Sequence, residues 1–324
     1  MGGGTVVVEA LVRGRRAVGS DINSLSAFLA RVKTCRLTEA ETTALEAWAN
    51  QIVPDLSYRS DVSQTARESP DPNLSLPLAR PIRKLCSVAL HSIATLPSLA
   101  GREFARCALL NVAQLALNGR RTQMPLHVFR RRLKATVQEM LDGSADLASA
   151  LDRVGGARSD AVLLTGPAAA LPTVSPFSTG DRADLVVTSP PYPGVHILYH
   201  RWQVDGRRES PAPYWIAGCE DSRGFAAYNF ADRRSVDLYF ERALIAFKGI
   251  RGVVKDGAFL VQLMSFGDPK SQLPRYLSML KEAGFDEIRA WPRVWRRVPG
   301  RRWHAAQKGA SSASREVLLL HRAV

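Results

Sequence analysis

The sequence predicts an α/β protein with a mostly parallel sheet and a helical insertion. Near both ends of the chain, short runs rich in Val and Leu alternate with segments of helical spacing, which favours a parallel sheet. The clearest of these strand candidates reads ADLVVT at residues 183–188. Between the two α/β parts lies a long stretch with apolar residues at helical spacing and few strand signals.

The first thirty residues have the order of a nucleotide-binding unit. A run of three glycines at 2–4 is followed by a predicted helix at 6–12 and a predicted strand at 16–21 that ends in Asp21. Glycine loop, helix, strand and acidic tip follow one another as in a Rossmann-type turn. The strand that normally precedes such a loop is missing from the sequence, so we expect a truncated N-terminus or a separate N-terminal portion of the same enzyme.

The rest of the chain divides into an insertion and a returning α/β pattern. We predict a helical insertion at 31–158 and a catalytic domain made of 1–30 and 159–324. In that domain we predict helices at 236–254 and 273–283. The predicted strands are 161–164, 183–188, 258–264, 287–291 and 317–320.

Composition limits the class of protein. The 324 residues include 44 Lys+Arg and 30 Asp+Glu, a net charge of +14, and 46% are hydrophobic. This balance is typical of a folded protein, and the basic excess favours a polyanionic partner such as nucleic acid. The sequence has no apolar run of about 18 residues, no signal-peptide pattern and no paired cysteines. We expect a cytoplasmic protein without a membrane partner or a metal site.

A short motif at 189–192 carries the candidate chemistry. Ser189, Pro190, Pro191 and Tyr192 directly follow the predicted strand 183–188, and ligands of open α/β sheets bind at the carboxyl ends of strands. The prolines fix the backbone and present carbonyls, while the serine hydroxyl and the tyrosine ring add an acceptor and a stacking face. Such a group can hold a planar amine. A proline-rich turn without chemistry is the alternative that the motif alone leaves open.

This motif resembles motif IV of the amino-group DNA methyltransferases, which use S-adenosyl-L-methionine. Their glycine motif, D-P-F-x-G-x-G-T, is followed by a helix with Glu-Ala and then by G-x-D/E. The chain reads Met1-Gly2-Gly3-Gly4-Thr5, then Glu9-Ala10, then Gly19-Ser20-Asp21. The resemblance covers roughly residues 1–30 and 160–290. A serine at the head of the tetrad resembles the cytosine-N4 members more than the adenine-N6 members.

The resemblance implies a cofactor site. Glycines in the loop would let the backbone approach the methionine part of the cofactor, and Asp21 would accept hydrogen bonds from the ribose hydroxyls. Gly166 stands where the family often has Gly-Asp, but Pro167 follows it here. The implied cofactor-binding residues are Gly2, Gly4, Thr5, Asp21, Ile22 and Gly166.

An arginine-rich segment is the candidate DNA surface. Guanidinium groups bind phosphates, and interleaved indoles stack on bases; a solvated basic hairpin with core-facing tryptophans is the alternative. The predicted DNA-binding residues are Arg293, Arg296, Arg297, Arg301 and Arg302.

These resemblances imply methylation of an exocyclic base amine in DNA, with cytosine N4 favoured over adenine N6 or an RNA amine. The implied catalytic residues are Ser189, Pro190, Pro191 and Tyr192, and the implied partners are DNA and a cognate restriction endonuclease. The alternative outside the enzymes is a DNA-binding protein, inactive because its first cofactor strand is missing.

Overall fold

The chain forms two compact units in the computed structural model, which describes residues 1–59, 71–155, 161–193, 200–206, 208–221, 236–289, 292–297 and 315–324. Unit 1 consists of residues 1–165 and 200–221, and unit 2 consists of 166–193 and the described residues from 236 onward. Each unit combines helices with strands. The predicted α/β class is therefore confirmed.

Unit 1 contains the glycine loop and a pair of parallel strands. Strand β1 (Ala17–Asp21) pairs with β2 (Ala161–Thr165), so that Asp21 lies opposite Thr165 at the carboxyl ends of both strands. Helix α1 (Thr5–Leu11) precedes β1, and helix α2 (Ser24–Lys33) follows it and packs on both strands.

The described residues between β1 and β2 are mainly helical. Thr38 begins one of these helices with a capping box, because its hydroxyl accepts from the Glu41 N–H (3.2 Å) and the Glu41 carboxylate accepts from the Thr38 N–H (2.8 Å). Unit 1 also contains a hairpin of β4 (Trp202–Val204) and β5 (Arg208–Ser210). Its further helices are α3 (Glu39–Asp55), α4 (Arg80–Ile93), α5 (Leu99–Leu117), α6 (Leu126–Val154) and α7 (Ala212–Ala217).

The compact units differ from the predicted sequence division, which grouped β1 and β2 with the strands after residue 166. Helices α1 and α2 explain the difference. Val7 and Leu11 of α1 form a core with Leu147 and Leu151 of α6, and α2 packs against α5. Burial of these apolar faces joins the glycine-loop region to the helices of the insertion.

Unit 2 is built on a mixed sheet whose described strands are ordered β3-β6-β9-β7, with β8 also paired to β9. Strand β3 runs parallel to β6, and β9 runs antiparallel to β6, β7 and β8. Four of the five described strands therefore share one direction, which confirms the prediction of mostly parallel strands. The bounds are β3 (Ala183–Thr188), β6 (Val254–Met264), β7 (Phe285–Glu287), β8 (Trp295–Arg297) and β9 (Arg315–Ala323).

Two helices, α8 (Val236–Arg251) and α9 (Pro269–Glu282), form the core of unit 2 with one face of this sheet. Along β6, alternate residues from Ala258 to Met264 are buried on that face. The opposite face carries four apolar residues that are between 41% and 44% exposed. They are Leu185, Val187, Phe259 and Leu318.

Several element ends differ from the prediction. The predicted helix 236–254 ends at Arg251, and the last strand is longer than 317–320. Helix α9 begins at Pro269, four residues before the predicted start, because Asp268 caps it and Pro269 suits the first turn. The predicted strand 287–291 is instead β7 at 285–287, because Gly284 ends the preceding turn at φ +87° and Phe285 is buried beside it.

Within the described part of the chain, no helix combines the length and apolar character that crossing a membrane requires.

Candidate functional site

The tetrad lies at the carboxyl end of β3 in unit 2. Ser189 follows the last residue of the strand and is exposed, whereas Tyr192 is only 8% exposed and belongs to the hydrophobic core. The prolines between them are half-buried. The motif therefore runs from the surface into the core within four residues.

Hydrogen bonds continue from the tetrad to a buried carboxylate. The Ser189 Oγ and Tyr192 Oη atoms are 3.0 Å apart, and the Tyr192 hydroxyl donates to Glu316 Oε1 at 2.9 Å. Glu316 has no exposed surface. Its other oxygen, Oε2, accepts from Arg296 Nε (2.8 Å) and lies 2.7 Å from Arg296 Nη2.

The direction of β9 places Glu316 beside the tetrad. Because β9 runs antiparallel to β6, its first residues lie at the carboxyl end of β6, where Val317 pairs with Met264. The Ser265 hydroxyl anchors this end by donating to the Arg315 carbonyl at 2.8 Å. Sequence reasoning missed Glu316, which is 124 residues from Tyr192. Its one signal is that Glu316 is the single acidic residue between 288 and 324.

The two proline carbonyls of the tetrad have different surroundings. The Tyr239 hydroxyl donates to the Pro191 carbonyl at 2.9 Å, and burial raises the pKa of Tyr239, so the hydroxyl remains a donor. No described residue donates to the Pro190 carbonyl. The tetrad thus presents two acceptor atoms, the Pro190 carbonyl oxygen and the hydroxyl oxygen of Ser189, which is an exposed residue.

Unit 1 brings the glycine loop to Asp21. The Gly2 N–H donates to Asp21 Oδ2 (2.8 Å), and the Asn23 N–H donates to Asp21 Oδ1 (2.9 Å). The Asp21 side chain is 13% exposed, and its Oδ2 atom also lies 3.4 Å from the Met1 ammonium group. A carboxylate has about four acceptor positions, of which the two N–H groups occupy two and the ammonium group competes for a third. A Cβ on Gly2 would meet nothing within 4 Å, which leaves open space beside the loop.

The other predicted cofactor residues have mixed surroundings. Gly4 adopts φ +83°, and a Cβ there would collide with Ala30 of α2, so its lack of a side chain is needed for helix packing. Thr5 is the first residue of α1, and Ile22 is half-buried between β1 and α2. Gly166 directly follows β2.

Two of the predicted DNA-binding arginines already have carboxylate partners. Arg293 binds Glu287 through two hydrogen bonds of 2.8 and 2.9 Å, which lower the pKa of Glu287, and Arg296 binds Glu316. Arg297 on β8 is exposed and has no ion-pair partner among the described residues. Arg301 and Arg302 lie outside the described residues.

The described residues contain no group of three His, Cys, Asp or Glu side chains placed to hold a metal ion. Comparison of the chain with protein-family models gives no match, and comparison with curated proteins gives none either.

Proposed function

We propose that the chain is an S-adenosyl-L-methionine-dependent methyltransferase with a Rossmann-like sheet, and that it acts on an exocyclic base amine in DNA. Cytosine N4 is the favoured target. One observation carries the proposal: two acceptors of adjacent residues stand at the carboxyl end of β3, the Ser189 hydroxyl oxygen, which also contacts the Tyr192 hydroxyl at 3.0 Å, and the Pro190 carbonyl, to which no described residue donates.

Two adjacent acceptors suit the chemistry of a base amine. The lone pair of such an amine is delocalised into the ring, which makes the nitrogen a poor nucleophile. Hydrogen bonds from both N–H groups to Ser189 and the Pro190 carbonyl favour a more tetrahedral nitrogen with a localised lone pair. Catalysis then depends on positioning and electrostatics, without a covalent bond between the chain and the base.

The glycine loop and Asp21 fit the cofactor. Beside its contacts with Gly2, Asn23 and the Met1 ammonium group, Asp21 keeps an acceptor position for a ribose hydroxyl, and the space beside Gly2 is open to the methionine part. When bound, S-adenosyl-L-methionine supplies an electrophilic methyl group. The chain's own contribution is to orient the ribose through the Asp21 carboxylate.

The nucleic acid partner follows from charge and accessibility. The net charge of +14 favours association with phosphates. Arg297 and the 40% exposed Trp295 lie together on β8, where they would contact phosphate and base. A base in a duplex must leave the stack before its amine can reach an enzyme pocket, so we propose that the target nucleotide is flipped.

Labelled S-adenosyl-L-methionine and DNA test the proposal. Mass spectrometry of digested DNA should show N4-methylcytosine. N6-methyladenine would overturn the cytosine assignment, and methylation of RNA alone would overturn the DNA assignment. DNA binding without any methyl transfer would instead favour a DNA-binding protein that does not methylate.

Two serine variants locate the chemistry. Ser189→Ala should lower kcat with little change in DNA affinity, because the lost acceptor matters most as the nitrogen becomes tetrahedral. Ser178→Ala, at an exposed serine of the same unit, is the matched control and should leave both quantities unchanged. Full activity in Ser189→Ala would remove the tetrad from catalysis.

A further inference from the structure

Three side chains form a hydrogen-bonded chain from the surface of unit 2 to its interior. Ser189 is exposed, Tyr192 is 8% exposed and Glu316 is fully buried. The oxygen atoms are separated by 3.0 Å and then 2.9 Å. At the inner end, two nitrogen atoms of Arg296 approach the same Glu316 oxygen, Oε2.

The buried carboxylate determines the direction of every proton in this chain. A carboxylate paired with a guanidinium can only accept, so Tyr192 uses its single proton to donate to Glu316. The Tyr192 oxygen then accepts the proton of Ser189. Because a hydroxyl has one proton, Ser189 has only lone pairs left for a ligand at the surface.

We propose that Glu316 is a positioning residue that makes Ser189 an obligate hydrogen-bond acceptor, so that the site takes a ligand amino group and excludes a carbonyl. The inference rests on the proposed function in one respect, which is that the ligand is a nucleic acid base. Cytosine differs from uracil by an amine in place of a carbonyl, and adenine differs from hypoxanthine in the same way. A carbonyl would face the Ser189 lone pairs without a proton between the two oxygens, an unpaired contact that costs affinity.

A single isosteric substitution should reverse the direction of the hydrogen bonds that join residues 316, 192 and 189. In Glu316→Gln, the Arg296 nitrogens can only donate, so they take the amide oxygen and leave the amide nitrogen facing Tyr192. That nitrogen donates to Tyr192, whose proton then goes to Ser189. The Ser189 proton is thereby directed outward, so Ser189 becomes a donor while the Pro190 carbonyl beside it remains an acceptor.

Binding of oligonucleotides measures this preference without any turnover. The probes are fluorescent oligo-dC and oligo-dU of one length, together with oligo-dA and oligo-dI, so that the result does not depend on the base assignment. The wild-type protein should prefer the amino member of at least one pair by about tenfold, as expected where a site hydrogen-bonds the distinguishing group. Glu316→Gln should remove most of that preference, and an unchanged preference in this variant would overturn the inference.

Removal of the Tyr192 hydroxyl should restore part of the activity that Glu316→Gln loses. In Tyr192→Phe, Ser189 is no longer controlled by residue 316, so its hydroxyl can rotate and accept from an amine. We expect kcat to fall about tenfold in Tyr192→Phe, about a hundredfold in Glu316→Gln and only about tenfold in the double variant. A merely structural role of Glu316 predicts that the double variant is worse than either single variant.

Glu287→Gln is the matched control. It changes another carboxylate of this sheet that binds an arginine, the partner of Arg293, and none of its described hydrogen bonds reaches the tetrad. It should retain the wild-type base preference. Loss of preference in Glu287→Gln as well would overturn the inference, because the effect would then come from general loosening of the sheet.

Neutron diffraction of deuterium-exchanged crystals separates this inference from the proposed function. In the wild-type protein, deuterium of Ser189 should lie on the line to Tyr192, and deuterium of Tyr192 on the line to Glu316; both should be reversed in Glu316→Gln. A Ser189 deuterium that points away from Tyr192 in the wild type would overturn the inference even in an active enzyme. The expected pattern in a protein that methylates nothing would leave the inference standing and remove the proposed function.

Discussion

A Cβ atom on Gly4 would lie 2.8 Å from the Cα atom of Ala30. The loop before α1 and the helix α2 therefore approach too closely for any side chain at position 4. Gly4 also adopts φ +83°, which L side chains rarely adopt. The structure thus gives Gly4 a packing role in unit 1, apart from the cofactor contact that the sequence implies.

Gly4→Ala should destabilise unit 1 by about 2–4 kcal/mol, because steric overlap adds to backbone strain. Gly143→Ala is the control, since Gly143 lies within α6 and its Cβ would meet nothing within 4 Å. That change should stabilise the helix by up to about 1 kcal/mol. Urea unfolding of both variants provides the measurement, and equal stability of the two would contradict the packing role.

Asp21→Ala should weaken binding of S-adenosyl-L-methionine by about 1–3 kcal/mol through the loss of charge-assisted hydrogen bonds to the ribose. Isothermal titration calorimetry measures the change. The same carboxylate also accepts from the Gly2 and Asn23 N–H groups, so thermal unfolding must accompany the titration. Glu9→Ala, which removes an exposed ion pair with Arg13 on α1, should leave cofactor affinity unaltered. Unchanged affinity in Asp21→Ala would exclude Asp21 from the cofactor site.

Substitution of Arg297 and substitution of Arg293 should have different effects on the salt dependence of DNA binding. Arg297→Gln should reduce the slope of log DNA affinity against log salt by about 0.9, the value for one phosphate contact. Arg293→Gln should leave the slope unchanged and lower stability, because Arg293 is bound to Glu287. Fluorescence anisotropy at several salt concentrations gives both slopes. An effect of Arg293 alone would place the DNA surface on the β7 side of the sheet.

His321 on β9 should make the protein less stable in mild acid. The side chain is fully buried, neither ring nitrogen has a partner among the described residues, and burial lowers its pKa from 6.5 to about 4. The unfolded chain takes up a proton below about pH 6.5 and the folded chain does not. Stability should therefore fall between pH 6.5 and 4, by on the order of 3 kcal/mol in total.

His321→Leu tests this assignment. Leucine has a similar volume and leaves no hydrogen-bond partner unsatisfied, so the variant should match or exceed the wild-type stability at pH 7. Its urea midpoint should change less between pH 6.5 and 4 than that of the wild type. The Glu287–Arg293 ion pair is present in both proteins. If the stability of the variant depends on pH as that of the wild type does, the effect belongs to such carboxylates and not to His321.

Local patterns predict much of this fold. The strand ADLVVT is found at its predicted bounds, because Gly180 before it and the prolines after it limit the apolar run. The glycine loop and Asp21 are only nineteen residues apart, so their hydrogen bond follows from one helix and one strand. Cap chemistry explains one of the differences at element ends, the earlier start of α9 after Asp268.

Contacts between residues that are far apart along the chain are harder to predict from the sequence. The partner of Tyr192 depends on the antiparallel entry of β9 into the sheet, and no local pattern around Glu316 fixes that register. The role of Gly4 likewise depends on where α2 packs. Both cases involve contacts set by tertiary packing, whereas periodicity and motifs report only neighbouring residues.

The position of β9 has a consequence for the order of folding. Residues 315–323 form the strand that lies between β6 and β7, although they are synthesised after both. A nascent chain that has reached β7 therefore has an exposed edge on β6 and no strand to which β7 can pair. Such non-local pairing slows folding and leaves a sheet edge available for association. The same strand carries Glu316, so Tyr192 acquires its buried acceptor only in the final step of sheet assembly.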